Sequence, residues 1–465
     1  MAACVTGLLG LAPYVVLSTA FVPLQQAVTG SLGTGRLGFT LAGGLSAGAY
    51  AVGAVVAAQV SLRRDRRTMF LVCEAAFVIA TVAMALSPDV WVFAGTRVLQ
   101  GLAAGGMLIA ALPPLITGFG AARVPLSAAI VDIGIFGSST LGPLIGTWVA
   151  GGDGWRLMLG AAAAIGAVGW VVALTSYESA EPADPDRKLD LVAIVLVVLV
   201  AAAIFTGTSL GTPVATSVLL AVGLLAFAAL LLVERQRDEP LIPLRALSTQ
   251  LPVTGILAAA LGGAVFVAVV EVGESAGSVA WMWPMPLGAL LGAIALWRLF
   301  VTRWMPVLVD IGMCALAAGA LLLAVPARPL GALLLGFGAA ATVTPGLFLT
   351  GLGLPSDRLG RAFALVQLLR AVATYAVAPV VVAATTQAPD HAFVAMAAVA
   401  LAGLLLLLLI PMLSGARLRV PDVEAWLDGD KGMPSPATAT HLRPSVEDDE
   451  AEPLMPQGWR ERMRR

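Results

Sequence analysis

The chain has 465 residues, of which 59% are hydrophobic and only 12% charged, and its mean hydropathy is +0.93; soluble domains carry about 25% charged residues. A net charge of -1 gives no basis for nucleic-acid binding, and three scattered cysteines with two histidines, His391 and His441, fit neither a disulfide framework nor a metal site. A soluble globular protein is excluded, and an integral membrane protein remains.

About 20 apolar residues at ~1.5 Å rise cross a ~30 Å hydrocarbon core, and backbone polar groups in lipid must pair within the segment. Each long apolar stretch is therefore expected to be a helix. In chain order they run Val5 to Ala27, Leu41 to Val60, Met69 to Leu86, Val90 to Leu115, Leu126 to Val149 and Leu157 to Leu174. Then come Leu191 to Thr208 and Val214 to Val233. The last group is Val253 to Val270, Val279 to Leu299, Pro306 to Val325, Leu330 to Leu352, Ala362 to Ala384 and Phe393 to Leu413. The expected fold is all-α, with about 14 transmembrane helices. The first stretch has no basic region ahead of it and reads as a span, not a cleaved signal peptide.

Arginines divide unequally between alternate loops. With a cytoplasmic N-terminus, the inner segments hold Arg63, Arg64, Arg66, Arg67, Arg123, Arg187, Lys188, Arg235, Arg237, Arg245, Arg298, Arg303, Arg358 and Arg361. The outer segments hold only Arg36, Arg156 and Arg328. Positive residues favour the inside, so both termini are expected in the cytoplasm and the protein in the cytoplasmic membrane, crossing it many times. Two long polar loops, Ser176 to Asp190 and Glu234 to Leu251, flank spans seven and eight. The chain is thus expected to comprise an N-terminal six-helix half (1–175), a two-helix insert with flanking cytoplasmic loops (176–250), a C-terminal six-helix half (251–413) and a tail (414–465). Proline and clustered charge predict disorder in that tail.

Span four contains Arg97-Val-Leu-Gln100-Gly101. A charge inside a span is costly and is a functional candidate by default. Arg97 lies ~10 Å from the outer surface by helix rise, so it could equally snorkel or pair structurally. Span five contains Gly137-Ser-Ser-Thr-Leu-Gly142-Pro143-Leu-Ile-Gly146. Pro143 lacks a backbone donor and is expected to kink the helix, while the glycines permit close packing.

Arg-x-x-Gln-Gly in span four followed by Gly-Pro-x-x-Gly in span five resembles the major facilitator superfamily. Trp155-Arg156, the Pro240-Leu-Ile-Pro243-Leu-Arg245 loop and Arg361-Ala-Phe-Ala-Leu-Val-Gln-Leu-Leu-Arg370 are similar to its fourteen-helix drug:proton antiporter branch. The resemblance covers nearly everything up to Leu413. It implies two six-helix bundles rocking about a midplane cavity, and proton-driven export of lipophilic organic compounds. It also implies a cytoplasmic gate loop carrying Arg66 and Arg67. This chain departs from the pattern in three places. Ser18 stands where the first span often carries an Asp. The acid and glycine of the loop after span two are displaced, and Ala373-Thr374 replaces a Gly-Gly pair.

Other intramembrane charges are candidates to replace the missing acid. Asp132 lies ~10 Å into span five, Glu74 ~8 Å into span three and Asp310 ~6 Å into span eleven, while Arg370 lies ~13 Å into span thirteen, near the midplane. A desolvated carboxylate can load and release a proton near neutral pH, and a nearby Arg opposes this. Asp132 is the first choice as carrier, and Asp132, Arg370 and Arg97 are expected to form one charge set. Fixed structural pairing is the alternative for these residues, and an interfacial position the alternative for Glu74 and Asp310.

No Gly-x-x-x-x-Gly-Lys-Ser/Thr loop is present, so nucleotide drive is not expected. No cofactor, metal or nucleic acid is implied; the expected partners are the lipid bilayer, a small lipophilic organic substrate and protons. A transport-inactive membrane sensor or partner protein is the runner-up. A lipid-modifying enzyme ranks last, since acids or histidines do not cluster at one membrane face.

Overall fold

The computed structural model describes residues 2–179, 184–185, 188–210, 213–237, 247–275, 280–325, 327–385, 389–414 and 420–433. Its α-helices are α1 (Ala2–Ala20), α2 (Gln25–Ser31), α3 (Arg36–Arg63), α4 (Arg66–Ala85), α5 (Val90–Thr117), α6 (Val124–Asp132), α7 (Ser138–Trp148), α8 (Gly154–Ser176), α9 (Leu191–Ser209) and α10 (Pro213–Gln236). They continue with α11 (Gln250–Ser275), α12 (Met285–Leu299), α13 (Met305–Leu323), α14 (Arg328–Leu352), α15 (Leu359–Thr385), α16 (Pro389–Ser414) and α17 (Val423–Leu427). Among the described residues, eleven helices are long and apolar enough to cross a membrane, or up to twelve if α1 and α2 count as one bent span. The other two expected spans are helical: α12 has only 15 residues, and α15 carries Arg361 and Arg370.

The first span departs from its expected extent. Instead of continuing to Ala27, the chain bends by 87° between α1 and α2. Pro23 lies in this break. It cannot donate to a helical carbonyl and disfavours helical geometry in Val22 before it. The turn closes instead through Leu24 N–H to Phe21 O and Gln25 N–H to Val22 O, both 3.1 Å.

The fifth span also differs. Its irregularity falls at a π-helical turn, Ile133–Gly137, and not at Pro143, which lies inside α7. The hydroxyl of Thr19 on α1 donates to Ser139 O at 2.8 Å. That carbonyl is the acceptor left without a helical partner by Pro143, four residues on. The orphan is satisfied from a neighbouring helix.

The N-terminal helices pack around α5, which meets α1, α3 and α4. Missing side chains permit this: a Cβ at Gly101 would lie 2.2 Å from Ser46 O, and one at Gly105 2.0 Å from Tyr50 O. In the C-terminal helices α14 takes the central place, packed by α11, α12 and α13. The two groups meet where α12 and α14 cover α6 and the π turn, and where α15 lies against α3 and α5. Phe136 of the π turn also meets Phe266 of α11 edge to face, with ring centroids 6.0 Å apart. Helix α9 packs on α3 and α15, and α10 packs on α9.

Helix ends are tied by charge. Asp65 accepts from the N–H groups of Arg67 and Thr68 at the start of α4, and Asp89 does the same for Trp91 and Val92 at α5. At the end of α4, Arg156 donates to Ala85 O at 2.5 Å and Ser87 O at 3.1 Å. A cation there suits the negative end of the helix dipole. At the arginine-rich end, Asp190 caps α9 through Ala193 N–H, pairs with Arg237 and donates its own N–H to Gln59 on α3 at 2.8 Å.

The tail is not wholly without structure, contrary to the sequence expectation. Residues 420–433 fold back on α14 through α17, and Trp426 is fully buried. Its indole N–H is shared between Gly351 O and Leu354 O, both at 3.1 Å. The apolar ring supplies the burial that polarity in the flanking sequence had obscured. Residues 434–465, and the Pro240–Arg245 loop, lie outside the described residues.

Candidate functional site

The charges singled out from sequence occupy separate places. Arg97 is buried, 5% exposed, and does not reach the bundle surface. Its guanidinium donates to Gln100 Oε1 at 2.5 Å and to Leu17 O at 3.5 Å. It also lies 4.4 Å from the ring centre of Phe21 and 5.9 Å from that of Tyr14. Cation–π contacts of this kind contribute about 0.5–2 kcal/mol. Gln100 passes the chain on, donating to Thr81 Oγ1 at 2.9 Å, and Thr81 donates to Phe77 O at 2.6 Å. The Arg-x-x-Gln spacing puts both side chains on one face of α5, and Gly101 lets α3 close over them.

Arg370 belongs to a different wall. Its stem packs over Gly263 of α11, where a Cβ would lie 2.8 Å from Cδ. Helix α15 packs on α3, which brings the Arg370 charge towards Tyr50 and its stacked neighbour Tyr14. Those rings stack at 5.2 Å with only 7° between their planes. Arg370 is half-buried, and among the described residues no carboxylate lies within ion-pair distance of it.

Asp132 is fully buried at the last residue of α6, directly before the π turn. It faces Thr344 of α14, the polar group that acts on it. Neither carboxylate oxygen, nor the Thr344 hydroxyl, makes a hydrogen bond. Asp132 and Arg370 form no ion pair, so the expected single charge set is resolved into two centres. One holds Arg97, Arg370, Tyr14 and Tyr50; the other holds Asp132 and Thr344.

Glu74 is fully buried within the bundle. Its Oε1 lies in a slot left by two glycines: a Cβ at Gly10 of α1 would come within 3.1 Å of it and one at Gly169 of α8 within 2.4 Å. Neither oxygen has a hydrogen bond. Asp310, on α13, is half-buried and stands apart from all of these.

The glycines of the span-five motif serve packing on α1. A Cβ at Gly142 would come 1.9 Å from Thr19 Oγ1, and one at Gly146 2.3 Å from Ala20 O, whereas Gly137 has ordinary space around it. Ser18 is exposed and donates only to Val15 O at 2.7 Å. In the loop after α3, Arg67 donates to Leu174 O of α8 at 2.6 Å; Arg66 acts electrostatically on Tyr177. Among the described residues no three His, Cys, Asp or Glu side chains are grouped to hold a metal ion.

Sequence reasoning missed Tyr14, Tyr50, Thr19 and Thr344. A signal for the first two existed: the chain has only four tyrosines, and these two lie in the interiors of the first two apolar stretches, away from the interface belts where tyrosine normally gathers. Thr344 precedes Pro345, but nothing local separates it from the other threonines of α14.

Known proteins agree with this architecture. An uncharacterized MFS-type transporter of Bacillus subtilis, YubD, is 28% identical over 266 residues, covering 55% of this chain and 51% of that protein. The tetracenomycin C resistance and export protein of Streptomyces glaucescens is 31% identical over 202 residues, 42% of this chain and 37% of that protein. The matched stretches thus span about half or less of these relatives. The crystal structure of the human organic anion transporter MFSD10 superposes with a TM-score of 0.62 at 16% identity, covering 87% of this chain and 99% of that one; at that identity the likeness is one of fold. The sequence model of the Major Facilitator Superfamily matches residues 7–379. The chain therefore belongs to the Major Facilitator Superfamily, a family of multi-pass membrane transporters and not of enzymes.

Proposed function

We propose that this transporter exports lipophilic organic compounds across the cytoplasmic membrane in exchange for protons, by alternating access. On this reading residues 1–175 and 251–413 are its two six-helix halves, 176–250 a two-helix insert, and both termini cytoplasmic. It is then a member of the fourteen-helix drug:proton antiporter branch, with α12 and α15 completing the spans. Partial similarity to a tetracenomycin C export protein supports the outward direction.

The observation that carries the coupling is the position of Asp132. It is a buried carboxyl without a hydrogen bond, at a π turn, on the surface where α6 meets α14. π-Helical turns inside α-helices are frequent at functional sites. An ionised carboxylate is expensive to bury unpaired, and α6 and α14 must separate if the halves rock. Asp132 holds its proton while that surface is closed and exchanges it when water enters. Thr344 supplies a hydroxyl that can follow either state.

Asp132→Asn tests this in sealed inside-out vesicles. It keeps the shape but cannot titrate. Uphill accumulation of substrate and the accompanying proton release from the lumen are expected to be lost, while downhill exchange continues. Uphill accumulation at the wild-type rate by Asp132→Asn rejects the assignment. Absence of substrate-linked proton movement in the wild type across a broad set of lipophilic compounds favours a transport-inactive sensor or partner instead, a reading prompted by Ser18 at the position of the family's first-span acid.

A further inference from the structure

The centre formed by Arg370, Tyr50 and Tyr14 has a composition that selects a ligand. Arg97 of α5 lies 5.9 Å from the ring centre of Tyr14, and Arg370 stands on α15, which packs against α3, the helix of the stacked partner Tyr50. Their states differ. Arg97 is enclosed, with Gln100 and Leu17 as acceptors and Phe21 beneath it. Arg370 is half-open and is matched by no carboxylate among the described residues. The buried acids among the described residues are elsewhere: Asp132 faces Thr344, Glu74 fills its glycine slot and Glu234 lies on α10. A half-exposed arginine inside a bundle, matched by no carboxylate among the described residues, is set to bind an anion, and its planar fork suits a carboxylate or phenolate. The stacked pair Tyr14–Tyr50 beside it offers a flat face for an aromatic ring.

We propose that the substrates are planar aromatic acids, with the anionic group on Arg370 and the ring against Tyr50. This deepens the exporter reading and rests on it for the direction of transport, but not for the binding preference. It predicts selection against lipophilic cations, which would meet Arg370 uncompensated. Gly263 has a part in this: with no side chain there, the Arg370 stem lies close against α11.

Two xanthene dyes of similar shape and opposite charge provide the test, fluorescein as the anion and tetramethylrosamine as the cation. Equilibrium binding to the purified full-length protein in lipid nanodiscs needs no transport. Wild-type protein is expected to bind fluorescein more tightly than tetramethylrosamine. Arg370→Gln is expected to weaken fluorescein binding about tenfold or more, as for loss of a charged hydrogen bond, with Arg370→Lys retaining most of it. Equal or tighter binding of tetramethylrosamine by the wild type overturns the proposal, and that comparison stands even if Arg370→Gln does not fold. Unchanged fluorescein binding in a folded Arg370→Gln overturns it too. Anion-selective binding without uphill export in vesicles leaves the proposal standing and rejects the proton-driven reading. Uphill export of tetramethylrosamine without fluorescein binding does the reverse.

Discussion

The Thr19 hydroxyl donates to the Ser139 carbonyl from another helix, at the point where Pro143 has taken away that carbonyl's own partner. The same device recurs at Pro114. Tyr177 donates to Ala110 O at 2.5 Å, four residues before that proline. Buried carbonyls without partners cost about 1–3 kcal/mol each, and in lipid water cannot serve them. Each proline therefore becomes an attachment point for a side chain from another segment.

Thr19→Val is expected to lower the thermal stability of the detergent-solubilised protein by about 1–3 kcal/mol, by orphaning Ser139 O; Thr19→Ser keeps the donor and most of the stability. Pro143→Leu restores a backbone N–H that can reclaim Ser139 O. The double variant Thr19→Val with Pro143→Leu is therefore expected to lose less than the two single losses added together. Strict additivity in thermal unfolding would show that the pair is not coupled.

Much of the fold was legible because lipid imposes one solution on an apolar stretch: spans from Leu41 onward coincide with helices to within a few residues at most ends. What escaped was set by tertiary partners. The break at Pro23 ends α1 well before Ala27, although the residues after it remain apolar enough to extend a span. Pro143, the conspicuous helix breaker, is accommodated by Thr19, while the π turn at Ile133–Gly137 has no proline at all. Depth estimated by helix rise put Asp132 and Arg370 near one level but could not say which face each occupied. Tyr14 and Tyr50 went unremarked because a tyrosine in an apolar run reads first as packing.

Trp426→Ala is expected to release residues 420–433 from α14. It removes a fully buried indole and the N–H that Gly351 O and Leu354 O share, and truncations of this size cost about 3–5 kcal/mol. Hydrogen exchange should show protection of Val423–Leu427 in the wild type and its loss in the variant, with helices α3–α8 unchanged. Protection retained in Trp426→Ala would mean that α17 is held by other contacts.

The arginine asymmetry yields a topology that reporters can read. Fusions after Arg67 and after Arg245 are expected on the cytoplasmic side, and fusions near Gly152 and Ala327 on the outer side. Finding Arg67 and Gly152 on one side would change the parity of the intervening spans and remove the basis for both cytoplasmic termini.

Glu74 and Asp132 are both buried carboxyls without hydrogen bonds, and their surroundings separate their expected roles. Glu74 is enclosed by α1 and α8, where Gly10 and Gly169 leave room for its oxygens. All of its neighbours there belong to the N-terminal helices, which move as one body if the two groups rock. Asp132 instead faces α14, from the other group. The proposed coupling requires a proton site whose access to water changes as the halves move, and of these two carboxyls Asp132 is the one on a surface between the two groups. Glu74→Gln is therefore expected to retain uphill export and substrate-linked proton release, while Asp132→Asn loses both. Gly169→Ala, whose new methyl would crowd Glu74 Oε1 at 2.4 Å, is expected to lower thermal stability, and shortening the acid in Glu74→Ala should relieve that crowding. Loss of uphill export in a stable, correctly inserted Glu74→Gln would transfer the coupling role to the slot between α1 and α8.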